Sequence, residues 1–287
     1  MNGILLLNKP TGISSFKAIR KAQAILNFKK VGHCGTLDPL ATGMLPIMIN
    51  EATKYSQYII SSDKAYTVEL KLGYISDTYD VEGDFKQVTN NTSFDVSKIE
   101  LTLKSFTGNQ FQMPPKFSAL KVNGKRAYDL ARNGISFDLQ KRSIHISKID
   151  LISYSNKYVK LYVECSKGTY IRSLVHDIGQ TLGCGAIMTS LNRNWVSPFE
   201  KATMYHLDSL EACKLIPVDT IFNDGIFLDE QKSKAISFGQ CVNVSQLTEK
   251  ANVETIAIYS FKKAFMGVGT IKENILKPKR LLGNLQD

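Results

Sequence analysis

Residues 158–183 read YVKLYVECSKGTYIRSLVHDIGQTLG, and the hydrophobic period changes partway along them. Val159, Leu161, Val163 and Cys165 alternate with Lys160, Tyr162 and Glu164, the period of two of a half-buried strand. Beyond Gly168 the apolar residues Ile171, Leu174, Val175, Ile178 and Leu182 recur at helical spacing, and Gly183 stands where a left-handed helix end belongs. Upstream, KAYTVELKLG (64–73) alternates in the same way: Tyr66, Val68, Leu70 and Leu72 share one face, and Thr67, Glu69 and Lys71 the other. Strands and helices are interspersed without regular βαβ spacing. The expected fold class is α+β, a mixed, largely antiparallel sheet flanked by helices.

Working outward, Ile4 to Leu7 reads as a short strand closed by NKPTG. A helix is expected from about Ser15 to Asn27, with Phe16, Ile19, Ala22, Ile25 and Leu26 on one face and Ser14 or Ser15 as its cap. MLPIMI (44–49) is another apolar run, and Pro217 to Gly225 reads as a linker. The tail from about Ile226 is strand-like, with VETIAIYS and FMGVGTI, and ends on the basic LKPKRLL. Two domains follow: 1–222, and a small β-rich 223–287.

The chain has 287 residues, 43% of them hydrophobic, enough for a sizeable core, and a formal net charge of +10. That excess suits a polyanionic partner, nucleic acid first, and on charge alone it suits a solvated lysine-rich surface equally well. The five cysteines are scattered, odd in number and form no C-x-x-C pair, which argues against a disulfide framework and a zinc ribbon. The N-terminal apolar run is too short for a signal peptide, and no run approaches a membrane span, so a cytoplasmic protein without membrane contact is expected. There is no Walker A pattern, no G-x-G-x-x-G after a strand and no H-x-x-x-H pair. SDTYDVEGDF (76–85) is acidic, but counted from Asp77 it puts Tyr79 and Val81 where a calcium loop needs oxygen ligands. No metal, nucleotide or redox cofactor is expected.

GHCGTLDPLATG (32–43) is too glycine-rich for a helix interior and too irregular for a strand. Asp38-Pro39 fits a helix start, with Asp as cap and Pro in the first turn. The alternative is a carboxylate held for chemistry: the glycines at 32, 35 and 43 suit close approach by another group, and His33 and Thr36 add polar atoms.

GHCGTLDPLATGMLPI (32–47) resembles the catalytic motif of the TruB family of tRNA pseudouridine synthases, which modify uridine 55 of the T-loop. ILLLNKPTGISS, EATKYSQYIISSDKAYTVELKLG, PPKFSALKVNGKRAYDLARNG and CSKGTYIRSLVHDIGQTLGCGA resemble further family motifs in the family's order, and FMGVGTI…PKRLL is similar to its PUA-like domain. The resemblance implies a stand-alone enzyme, without guide RNA, that flips uridine out of the T-arm stem-loop and isomerises it with Asp38 as the essential carboxylate. It leaves open whether Asp38 attacks C1′ or the base. It makes Tyr66 the platform under the base rather than only a core residue, and Arg172 the partner of Asp38 rather than a solvated cation. Tyr170 and Leu191 would wall the pocket, and Asp80 and Lys9 would support it. His33 would touch RNA. Lys116, Lys121, Lys125, Arg126 and Arg132, in an insertion at about 112–143, would grip phosphates, with Arg193 a further RNA residue. A monomer is expected, and tRNA-folding activity could accompany catalysis. Competing readings are a guide-dependent relative, a non-catalytic RNA-binding protein and a glycosidase, for which nothing pairs with Asp38.

Overall fold

The computed structural model of the chain describes residues 2–283, so Met1 and the last four residues of the expected 223–287 domain lie outside the described residues. An eight-stranded sheet dominates. Seven of its strands run in the order Gly3–Lys9, Thr42–Ile49, Ala186–Val196, Lys64–Leu72, Tyr158–Cys165, Arg142–Ser155 and Gly108–Gln112. All neighbours are antiparallel except Thr42–Ile49 with Ala186–Val196, which pair in parallel through Thr42 with Asn192 and Gly43 with Arg193. The sheet is therefore mixed and largely antiparallel, and the α+β expectation holds.

One strand creates the place for a site. Thr42–Ile49 gives a whole edge to Gly3–Lys9. Its other edge is divided between Val31–His33, paired to residues 47–49, and the parallel contact at Thr42 and Gly43. The loop of residues 34–41 springs from this fork. Gly43 has φ +96°, and a Cβ there would lie 2.3 Å from the Arg193 carbonyl oxygen and 2.8 Å from its nitrogen. Only glycine lets the two backbones meet in this conformation.

The alternation read in residues 64–72 and 158–165 is realised. Tyr66, Val68, Leu70 and Leu72, with Val159, Leu161, Val163 and Cys165, point into one apolar core. The Ile171–Leu182 helix covers it with Ile171, Leu174, Val175, Ile178 and Leu182, and ends at Gly183 in the left-handed region. Its Arg172, outside that apolar stripe, is buried as well, because the chain before Lys121 closes over that side of the first turn.

The Ser15–Leu26 helix is capped by Ser14, whose side chain accepts from the Lys17 N–H, and ends at Asn27 in the left-handed region. Its expected face needs correction. Ser15, Ala18, Ile19 and Ala22 are buried, whereas Phe16 is 67% exposed and Ile25 44%. A stripe stepped by three residues drifts around a helix of 3.6 residues per turn, so Phe16 and Ile25 turn away while Ile19, Ala22 and, in part, Leu26 meet the core. The expected linker is also ordered: residues 218–221 form a 3-10 turn with Val218 buried.

A second, five-stranded sheet runs Gly225–Phe227, Val253–Tyr259, Phe265–Lys272, Ile275–Leu281 and Val242–Asn243, around its own core. Tyr55 joins it to the large sheet, packing on Phe222 and Phe265 and donating to the Arg280 carbonyl. The cysteines are free, and no helix among the described residues is long and apolar enough to cross a membrane.

Candidate active site

No helix follows Pro39; the next regular element is the Thr42–Ile49 strand. Asp38 is thus not a helix cap. It begins a tight turn, in which the Ala41 N–H donates to the Asp38 carbonyl. The loop is tied down from three sides. Lys9 is fully buried, and its Nζ donates to the carbonyls of Pro10 (2.8 Å), Ile13 (2.7 Å) and Pro39 (3.2 Å). Burial pushes its pKa down to about 8, with Glu82 and Asp38 opposing. Ser15 Oγ both donates to the Leu37 carbonyl (2.9 Å) and accepts from the Leu37 N–H (2.8 Å). Arg193 donates Nε to the Met44 carbonyl (2.7 Å) and Nη2 to the Gly35 carbonyl (3.1 Å).

Arg193 was expected among the RNA contacts. With 1% of its surface exposed, two donors on backbone carbonyls of the loop and its strand, and a side-chain hydrogen bond to Tyr66, it is a brace of the Asp38 loop instead. A guanidinium offers several donors in a fixed plane, which suits a place where backbone carbonyls from two segments converge.

The carboxylate meets Arg172 side-on: Nε lies 2.9 Å from Oδ2 and Nη2 3.3 Å from Oδ1. Arg172 also donates Nη1 to the Thr78 carbonyl (3.0 Å) and Nη2 to the Phe117 carbonyl (2.9 Å), and Asp80 Oδ2 stands 3.6 Å from Nε. Asp80 is buried and accepts from Thr78 Oγ1 and the Glu82 N–H. Asp38 remains open on one side, with 37% of its side chain exposed. Burial pushes its pKa above the ordinary carboxylate value; the Arg172 charge opposes this, and Asp80 adds to it.

Tyr66 sits on the strand between Val163 and Arg193 and is buried, with its hydroxyl pushed up to about 12 by burial. Tyr66 and Leu191 belong to the same apolar cluster as Leu37 and Ala41 of the loop. Tyr170 precedes the arginine helix and is half-buried. The site therefore gathers Asp38, Arg172, Asp80, Lys9, Tyr66, Leu191 and Tyr170. Lys116, Lys121, Lys125, Arg126 and Arg132 are all exposed, on the excursion between the Gly108–Gln112 and Arg142–Ser155 strands. Arg126 and Arg132 flank the Tyr128 ring. His33 Nδ1 is buried without a hydrogen bond, and burial, Arg193 and Arg126 push the ring's pKa down.

Sequence reasoning missed several groups. Gln112 holds Tyr170 by both backbone groups: its Oε1 accepts from the Tyr170 N–H (2.8 Å) and its Nε2 donates to the Tyr170 carbonyl (3.0 Å). Ser173 Oγ donates to the Met113 carbonyl (2.8 Å). The base of the basic excursion is thereby fastened to the turn that carries Arg172. No periodicity or motif marks Gln112 or the carbonyls of Thr78 and Phe117. Among the described residues no His, Cys, Asp or Glu cluster could hold a metal ion.

Residues 23–171 match the TruB family pseudouridylate synthase N-terminal domain, 172–224 the tRNA pseudouridylate synthase B C-terminal domain and 225–282 the C-terminal domain of pseudouridine synthase II TruB. The chain is 43% identical to the tRNA pseudouridine synthase B of Clostridium acetobutylicum, over 98% of this chain and 100% of that protein. It is 40% identical to the protein of the same name from Haemophilus influenzae strain PittEE, over 98% and 95%. In fold it is similar to a chain of an H/ACA RNP bound to a substrate RNA containing 2′-deoxyuridine, with a TM-score of 0.75 at 21% identity over 99% of this chain and 86% of that one.

Proposed function

Since the chain belongs to the TruB family of pseudouridylate synthases, we propose that it converts uridine 55 in the T-loop of tRNA to pseudouridine, in the cytoplasm and without a guide RNA. The N1–C1′ bond breaks with its electron pair left on the uracil, the ring turns within the pocket, C5 bonds to C1′, and C5 loses one proton while N1 gains one, directly or through solvent. The reaction is redox-neutral and needs a carboxylate that acts as nucleophile or stabilises charge beside the ribose. Asp38 is that group. The geometry at its carboxylate supports this above all: one face is held side-on by Arg172 and the other is open.

Each neighbour has a part. Arg172 keeps Asp38 ionised against the desolvation that a bound uracil would deepen, and fixes its orientation. Tyr66 and Leu191 provide the apolar wall for the ring. Flipping the base costs a few kcal/mol, and stacking on an aromatic ring returns about 1–3 kcal/mol. The exposed cations from Lys116 to Arg132 take the phosphates of the T-arm. His33, partly exposed at the end of the short Val31–His33 strand, meets RNA beside the vacated base position. The test is pseudouridine mapping in a tRNA transcript incubated with the purified protein alone. Modification at uridine 55 supports the proposal; modification elsewhere or none refutes it.

A further inference from the structure

The first acidic residue of the chain is Asp38. The 37 residues before it carry Lys9, Lys17, Arg20, Lys21, Lys29 and Lys30 and no Asp or Glu, although the whole chain has 26 acidic residues. Of these cations only Lys9 is buried, and no ion pair among the described residues uses the other five.

The Ser15–Leu26 helix gathers three of them on one side. At about 100° per residue, Phe16, Arg20, Lys17 and Lys21 fall on one arc, opposite the buried Ser15, Ala18, Ile19 and Ala22. All four are exposed, and the arc includes a large aromatic ring, Phe16, at 67% exposure. The Arg20 guanidinium lies over that ring, 5.4 Å from its centroid. The start of this helix is bound to the Asp38 loop. Ser15 holds both backbone groups of Leu37, Thr11 Oγ1 donates to the Leu40 carbonyl (3.0 Å), and the Gly12 N–H donates to the Pro39 carbonyl (2.9 Å). Phe16 therefore stands next to a residue that grips the neighbour of Asp38. The Arg172 side of Asp38 meets the basic excursion at Phe117 instead.

We infer that Phe16, Lys17, Arg20 and Lys21 form a second RNA-binding surface, which takes the substrate strand beside the target nucleotide. It rests on the RNA-modifying reading above. The chemistry fits a nucleic acid strand. The ring offers a face for a base, the guanidinium can stack or reach phosphate, and the helix itself carries no carboxylate to repel the backbone. A solvated helix face is normally interspersed with acids, as surface helices carry both signs.

The test measures binding of a fluorescent T-arm stem-loop RNA between 50 and 200 mM salt for wild type, Lys17→Gln/Arg20→Gln and Phe16→Ala, with thermal melts confirming the fold. The double variant is expected to flatten the slope of log K against log salt by about 0.7–0.9 for each phosphate contact removed. Phe16→Ala is expected to weaken binding several-fold and keep the slope, since it removes stacking and no charge. Arg20→Lys/Lys17→Arg, which keeps both charges, is expected to retain the wild-type slope. Wild-type affinity and slope in both neutralised and truncated variants would overturn the inference. So would intact binding with a loss of single-turnover rate at saturating enzyme, since the helix would then act only as a prop for the Asp38 loop. A flattened slope in a protein that forms no pseudouridine would leave this surface standing and sink the proposed reaction.

Discussion

Replacing Arg172 with lysine separates charge from geometry. The guanidinium makes two contacts to Asp38 and one each to the carbonyls of Thr78 and Phe117. Those acceptors lie in different directions around a plane, and Nε and Nη2 approach the two carboxylate oxygens together. An ammonium has three donors at one point on a flexible stem. It can stay near Asp38, but cannot also reach both carbonyls. One carbonyl left without a partner in this buried spot costs about 1–3 kcal/mol, felt as a lower melting temperature. The larger effect is on rate. A reacting group misplaced by about 1 Å loses on the order of 10²-fold, which equals about 2.7 kcal/mol of transition-state stabilisation. Arg172→Lys should therefore lower single-turnover pseudouridine formation at saturating enzyme at least ~10²-fold. Affinity for tRNA should change little, because phosphate contacts elsewhere supply most of it. The assay pairs that rate with a filter-binding titration. A near-wild-type rate would refute the reasoning by showing that charge alone suffices. Parallel loss of binding and rate would make Arg172 an RNA contact.

Arg172→Gln should move the acid limb of the pH–rate profile. If the ionised Asp38 carboxylate is the proposed reacting group, activity is present above the Asp38 pKa and lost below it; that pKa is already raised by burial, and Arg172 is the main group opposing the rise, so its loss shifts the limb to higher pH. An unmoved limb would mean another group sets it. Neutralising Lys121, Lys125 and Arg126 together should flatten the salt dependence of tRNA affinity by about 0.7–0.9 per phosphate contact, and an unchanged slope would return them to solvent. Gly43→Ala should destabilise the protein by at least about 1–2 kcal/mol from the left-handed backbone alone, with more from the clash against Arg193; an unchanged melting temperature would show that the fork relaxes freely.

The legible parts of the fold were those where one side chain pattern meets one core. The two strands and the helix quoted first lie on the same apolar cluster, so their periods report it directly. The Ser15–Leu26 helix was read less well, because alanines and a serine make its contact face while Phe16 and Ile25 point outward. Arg193 shows a local signal that was overlooked. It is two residues from Leu191 on a strand, hence on the same face, and Leu191 was expected to line the pocket; alternation alone places Arg193 inward. The carbonyls of Thr78, Phe117 and Pro39 had no signal at all. Backbone acceptors are common to every residue, and only the topology decides which of them surround a buried cation.

The most direct measurement of the central claim is pseudouridine formation at uridine 55 by Asp38→Asn under single-turnover conditions, with tRNA binding measured on the same preparation. Asparagine keeps the size of the side chain and removes the charge. With Asp38 as the reacting carboxylate, the variant is expected to fold as wild type, retain tRNA binding and form no detectable pseudouridine. Turnover near the wild-type rate, with the substitution verified in the protein assayed, would contradict it.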